Sequence, residues 1–239
     1  MKTSYKEHIH ALSKISKAIT SDLYLEDILK LIVTLTASVL HAKICSLWLL
    51  DEEKSELKIR ATQAMSKEYL KERILKVGEG IVGLVAQEKS FLSIQNVLDE
   101  PKYKEKKLAK KEKLVSMLSV PMMVKNRVIG VINLYTTTLH KFTKSEMALV
   151  SMVADQAAVA IENTELFVRA QIAQAELEAR KKIERAKGIL MKEQNLDEDQ
   201  AFALMRKTSM NKRVSMKNIS EAIILSYEIG KPKKIGGKL

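Results

Sequence analysis

Cysteine occurs once in this 239-residue chain, proline three times, and aromatic residues make up only 5% of it. The lone thiol, Cys45, cannot form an internal disulfide, so no covalent staple holds the fold. It lies in the apolar run ICSLWLL, where a small buried hydrophobe is the plain reading. Few aromatics leave little stacking surface, which argues against a sheet-type reader of single-stranded RNA. No apolar run approaches the roughly 18 residues of a membrane span. The opening residues, MKTSYKEHIH, lack the apolar core of a signal peptide, so the expected location is the cytoplasm and no membrane partner is expected. Catalytic constellations are missing as well. His8, His10, His41 and His140 show no metal-ligand spacing, no Walker pattern occurs, and GEGIVG (78–83) lacks the glycine spacing of a dinucleotide loop. No catalytic residue, metal ligand or cofactor can be nominated, and an enzyme is not expected.

What the chain has in excess is positive charge, +12 overall. Residues 180–239 carry fifteen Lys/Arg against seven Asp/Glu, a net of +8. Residues 102–113 (KYKEKKLAKKEK) carry seven Lys against two Glu, a net of +5. The remainder is 12 − 8 − 5 = −1. A basic block at one end of a nearly neutral body suggests a polyanionic partner at that end.

Hydrophobic periodicity divides the chain. Apolar residues recur at helical spacing over Tyr5–Thr20 and again over Leu25–Leu40. Ile44–Leu50 reads as a strand covered on both faces, and Leu57, Ile59 and Ala61 alternate as its antiparallel partner. Ser66–Lys76 reads as a short helix, Leu84–Glu88 as another, and Phe91–Ile94 as a short strand. Val115–Val124 and Val128–Tyr135 form a hairpin around Lys125-Asn126-Arg127, with Asn126 suited to the left-handed turn position. Pro121 cannot donate to a ladder, so its strand is an edge there or carries a bulge.

From Thr143 no Gly or Pro intervenes until Gly188. Thr143 and Glu146 have capping-box spacing. A helix running to about Glu193 would span roughly 75 Å at 1.5 Å per residue, too long for one globular body to cover. Leu166, Ala170, Ala173 and Leu177 fit coiled-coil spacing. Ile183 follows in a shifted phase with Ile172, Ala179, Ala186 and Leu190. A homodimer joined along this helix, with a seam change near 177–179, is therefore expected. Two shorter helices follow, Asp197–Thr208 and Ser215–Tyr227, with Ser215 as a potential N-cap.

Residues 180–227, RKKIERAKGILMKEQNLDEDQAFALMRKTSMNKRVSMKNISEAIILSY, resemble the ANTAR family of three-helix RNA-binding modules from transcription antiterminators. The matching pieces are Ile183, the run Ala186–Met191, Ala201-Phe202, Leu204–Lys207, Ser209-Met210 and Ala222. Met205 is a small departure, since Leu-Arg without an intervening Met is commoner there. Residues 1–165 resemble a GAF domain in layout: two leading helices, a strand pair, a helical mid-section, the SVPMMVKNRVIGVINLY hairpin and a closing helix.

The resemblance implies an α+β chain: an antiparallel-sheet sensory domain at 1–165, a coiled-coil linker at 166–182, a three-helix RNA-binding bundle at 183–229, and a disordered basic tail at 230–239. It implies a signal-responsive antitermination regulator that binds tandem hairpins in a leader transcript and prevents terminator formation. Arg185, Lys187, Gly188, Arg206, Lys207, Ser209 and Met210 are the residues expected at the RNA. A small-molecule ligand is expected in the sensory domain, between the sheet (44–62, 91–95, 115–135) and residues 66–113. The alternative is a ligand-sensing DNA-binding regulator with a helix-turn-helix-like end.

Overall fold

The computed structural model describes residues 5–21, 23–64 and 73–230. The chain divides into two compact units, Met1–Glu165 and Leu166–Leu239.

In the first unit, α1 (Tyr5–Ile19) and α2 (Leu25–Val39) form where apolar residues recur every three or four positions. Ile15, Leu29, Ile32 and Val33 point inward as a result. Glu26 and Asp27 sit in the first turn of α2, where the helix dipole favours anions. The strands are β1 (Ile44–Asp51), β2 (Glu56–Thr62), β3 (Ile74–Lys76), β4 (Leu92–Ile94), β5 (Met117–Val124) and β6 (Arg127–Tyr135). They build one sheet of order β3-β2-β1-β6-β5-β4 in which every neighbouring pair is antiparallel. Two short helices, α3 (Gly80–Glu88) and α4 (Lys106–Glu112), fall between the hairpins. The long helix α5 (Lys144–Gln194) follows β6.

Strand alternation sends side chains to two apolar layers. Cys45, Leu47, Leu118, Val120, Ile132 and Leu134 join α1, α2 and the first part of α5 in one core. Ile44, Trp48, Met117, Val131 and Tyr135 join α3, α4 and the segments beside them in the other. Because β1 and β6 occupy the centre, their residues are covered from both sides, as the unbroken run Ile44–Leu50 suggested. Pro121 pairs with Val131 of β6, whereas β4 ends opposite Ser119, so the outer edge of β5 is bare at the proline. A register shift follows at Met122/Met123.

Three expectations need correction. Ile74–Lys76 is an edge strand rather than helix, because its backbone pairs with Glu56–Lys58; the rest of Ser66–Lys76, up to 72, lies outside the described residues. The left-handed turn position of the β5–β6 hairpin belongs to Lys125, at φ 56°, not to Asn126. The short helix at 84–88 begins earlier, at Gly80. The expectation for the basic tail falls beyond Gly230, outside the described residues.

The capping box at the head of α5 is present. Thr143 N–H donates to Glu146 Oε2 at 2.7 Å, and Glu146 N–H donates to Thr143 Oγ1 at 3.2 Å. His140 Nε2 lies 3.0 Å from the same carboxylate. Partial burial raises the Glu146 pKa, but the Thr143 and His140 hydrogen bonds outweigh it and hold the carboxyl below its usual value.

In the second unit, α5 turns at Asn195, φ 53°, into α6 (Glu198–Lys212) and then α7 (Met216–Gly230). Asp197 and Gln200 close a reciprocal capping box on α6. Ser215 Oγ accepts from Asn218 N–H at the head of α7. Ala186, Leu190, Ala201 and Met205 form a small core, flanked by Ile183, Met191, Met216, Ile219 and Ile223.

Two outcomes follow. A Cβ at Gly130 would run into the Trp48 carbonyl oxygen and Met122 Cε, both in the packed centre of the sheet. Gly130→Ala should therefore cost about 3 kcal/mol, read as a lower urea midpoint. Glu146 has a depressed folded pKa. Its contribution is present above the ordinary value of 4.5 and is lost as pH falls through the lower folded value. Glu146→Gln should thus destabilise the protein near neutrality and flatten the acid limb of a melting-temperature profile below about pH 4.5.

Candidate functional site

Charge in the second unit is segregated along α6. Its first turn holds Glu198 and Asp199, while its last turns and the following loop hold Arg206, Lys207, Lys212 and Arg213. Between Arg206 and Lys217 there are five cations and no carboxylate. Arg206, Lys207, Lys212 and Arg213 are exposed, and no ion pair engages them among the described residues. Met210, 69% exposed, lies one turn beyond Arg206 on the same helical face. Lys212, Arg213 and Lys217 were not singled out from the sequence; the acid-free run in which they sit was the available signal.

The other residues expected at the RNA fall into different roles. Lys187 is only 8% exposed. Its ammonium lies 2.7 Å from Glu184 and 2.7 Å from Glu198, tying α5 to the first turn of α6. Those hydrogen bonds, Glu184 first and then Glu198, raise its pKa. Arg185 is exposed and pairs with Glu228 of α7 at 2.6 Å. Ser209 Oγ donates to the Val214 carbonyl at 2.6 Å and closes the turn after α6. Gly188 is exposed, and a Cβ there would meet nothing within 4 Å. Close packing within the chain therefore does not require this glycine; the bare backbone is open to an external surface.

Of the residues expected in the coiled coil, Leu166, Ala170, Ala173 and Leu177 are all exposed. Ile183 is half-buried against the α6–α7 core, where Ala186 and Leu190 also end up. The second apolar phase of the helix thus serves its own bundle.

The first unit carries a polar row on the sheet face beneath α3 and α4. Ser46, Asn133 and Ser119 stand side by side on β1, β6 and β5, each fully buried. Trp48 Nε1 donates to Ser46 Oγ at 3.3 Å, and Ser119 Oγ donates to Asn133 Oδ1 at 2.6 Å. Asn133 Nδ2 is buried with no hydrogen-bond partner. Nearby, the Arg73 guanidinium lies 5.4 Å from the Trp48 ring centre and pairs with Glu105 at 2.5 Å. Bulky side chains, among them Trp48, Tyr103, Leu114, Met117 and Tyr135, otherwise occupy this face. The Gly-rich and Lys-rich segments line a separate open cleft of about 840 Å³ that includes Gly78, Gly80, Lys102 and Lys104. Cys45 lies on the opposite sheet face, and burial pushes its thiol pKa far up.

A family model described as GAF domain matches residues 24–161, and one described as ANTAR domain matches 171–224. The Escherichia coli K12 protein "Phosphoenolpyruvate-dependent phosphotransferase system" is 24% identical over 155 residues, 65% of this chain. The match spans only about a fifth of that protein's length, and the same holds for its Salmonella typhimurium counterpart. Among solved structures, the GAF domain of a Coxiella burnetii phosphoenolpyruvate-protein phosphotransferase aligns with TM-score 0.62 and 26% identity, covering 70% of this chain and 98% of that one. A free methionine-R-sulfoxide reductase from Neisseria meningitidis aligns with TM-score 0.58 and 16% identity, over 70% of this chain and 96% of that one, a likeness of fold. Among the described residues, no helix is long and apolar enough to cross a membrane, and no three His, Cys, Asp or Glu side chains cluster as metal ligands.

The two kinds of basic residue separate in a stability measurement. Lys187→Met should lower the melting temperature by a few degrees, because it leaves Glu184 and Glu198 facing each other without a cation. With a raised folded pKa, the Lys187 contribution is complete below 10.5 and lost only as pH rises through the higher folded value. Arg206→Ala and Lys207→Ala should stay within roughly 0.5 kcal/mol of the parent.

Proposed function

The chain belongs to the GAF domain family and carries an ANTAR domain after it, and from that premise we propose that it binds RNA hairpins through the ANTAR unit under control of a molecule sensed by the GAF unit. The pairing of a sensory with a regulatory domain makes it a signal-responsive ANTAR-type regulator. The finer reading is transcription antitermination. A homodimer engages tandem hairpins in a leader transcript and prevents a terminator from forming.

The observation that supports RNA binding most directly is the exposed, acid-free basic run Arg206–Lys217 beside Met210 and the bare backbone at Gly188. Phosphates take the exposed cations, and splayed loop bases lie against the apolar and backbone surface. Lys187 acts here by fixing α6 on α5 rather than by meeting phosphate. The competing reading, a helix-turn-helix reader of duplex DNA, asks α7 to present polar side chains to a groove. Its exposed surface instead includes Leu225 and Ile229, 58% and 75% exposed.

On the sensory side, the proposed ligand addresses the sheet face at the polar row, where Asn133 Nδ2 offers a donor that the protein leaves unused. Catalysis has no part in the proposal. A thiol redox reaction would require Cys45, which lies deep in the other layer.

The test is binding of a labelled tandem-hairpin RNA and of a DNA duplex across a salt series. The protein should prefer the RNA, with log affinity falling linearly with log salt. The double variant Arg206→Glu, Lys207→Glu should weaken RNA binding more than tenfold with unchanged helicity, and flatten the salt slope by about 2. Equal affinity for duplex DNA would favour the helix-turn-helix reading, and intact RNA binding by the double variant would remove this surface.

A further inference from the structure

Within the first unit, α5 has two apolar sides. Val150, Val153, Ala154, Ala157, Ala158, Ala160 and Ile161 are buried against the sheet and its helices. The other side is open, yet Met152 is 49% exposed and Val159 42% exposed. These two are seven residues apart, and Leu166 (52% exposed) and Ala173 continue the interval. A second series, Gln156, Asn163, Ala170 and Leu177, also repeats every seven residues and interleaves with the first at alternating steps of four and three. An isolated helix packed on one body has no reason to keep a seven-residue repeat on its outward side, because its own period is about 3.6. That repeat is the signature of two helices wound about each other, with each side chain seated between those of an identical stripe.

We propose that residues 152–177 of α5 form a parallel, in-register seam with the same residues of a second copy of this chain, and that the side-chain amides of Gln156 and Asn163 set its register. This goes beyond the dimer in the reading above by extending the contact over the sensory unit and by assigning its direction. The occupant follows from complementarity. In a parallel pair each amide meets its own counterpart across the axis, where two amides can exchange a hydrogen bond. Reversing one helix with the same overlap places Asn163 opposite Leu166 and Gln156 opposite Ala173, leaving amides against apolar side chains. The flanking charges agree. In the parallel arrangement Glu176 of one protomer faces Lys181 of its partner, opposite signs at positions that meet across such a seam. The seam stops near Leu177 because Ile183, Ala186 and Leu190 are taken up by the bundle of their own chain.

Single cysteines in the full-length protein test direction and register, since the native Cys45 is fully buried. Under mild copper-catalysed oxidation, Val159→Cys and Leu166→Cys should each link to themselves as covalent dimers. Ala175→Cys, on the side of the helix away from the seam, should link at least about tenfold more slowly, since its thiols do not meet. In sedimentation, Val159→Glu should weaken association on the order of a hundredfold. Asn163→Leu should tighten association while yielding more than one oligomeric species, because the polar layer that restricts pairing is gone. Val159→Cys and Leu166→Cys linking no faster than Ala175→Cys would overturn the parallel seam. A single, equally stable species for Asn163→Leu would overturn the register role. Neither readout involves RNA, so a failure here is distinct from a failure of the RNA-binding reading.

Discussion

The central constraint on this chain is that α5 must satisfy apolar surface on opposite sides. From Val150 to Ile161 its inward side completes the core that α1, α2 and the sheet cannot close alone. The inward positions are largely alanine, which lets the helix axis come close to the central strands β1 and β6. Past Leu177 the inward requirement changes owner: Ile183, Ala186 and Leu190 pack on α6 and α7. One helix therefore contributes to two cores that share no other element, so any rotation or shift at its sensory end acts on a segment that the regulatory bundle also depends on. A ligand shifts such a helix only through a difference in affinity between two of its arrangements.

The sensory unit has kept polarity in an unusual place. Three buried polar residues in a row, Ser46, Asn133 and Ser119, sit at the centre of a sheet whose other side is apolar apart from hydroxyls at its margins. An apolar set would pack more simply, and the Asn133 amide keeps a buried donor without a partner, at a cost of about 1–3 kcal/mol. Arg73, held between the Trp48 ring and Glu105, covers the neighbouring part of the same face. Polarity of this kind marks a face suited to a small polar molecule, and it is absent from the layer around Cys45.

Charge in the regulatory unit is divided between structure and surface. Lys182 with Glu221, Arg185 with Glu228, and Lys187 with Glu184 and Glu198 lace three helices whose shared core has only four fully buried residues. Exposed pairs contribute little individually, so the small core and the α6 capping box carry most of the burden of order. The cations left over are those from Arg206 to Lys217, a surface available to a polyanion.

The sequence by itself determined the elements and their order. Helical spacing marked α1, α2 and the length of α5, the Thr143–Glu146 pair marked its start, and Pro121 marked a bare edge, because each of these depends on local geometry. It also determined where positive charge accumulates. It misassigned Ile74–Lys76, since three residues become a strand only when a partner such as Glu56–Lys58 is beside them. Tertiary structure alone decided which cations are spoken for. Lys187 and Arg206 look alike in the sequence, yet the first lies within reach of two carboxylates on different helices and the second does not. It alone decided that the apolar residues after Leu177 belong to the bundle while those from Met152 to Leu177 remain open. A periodic stripe states that a helix has a partner, and only the packing of the other helices shows whether that partner is already present.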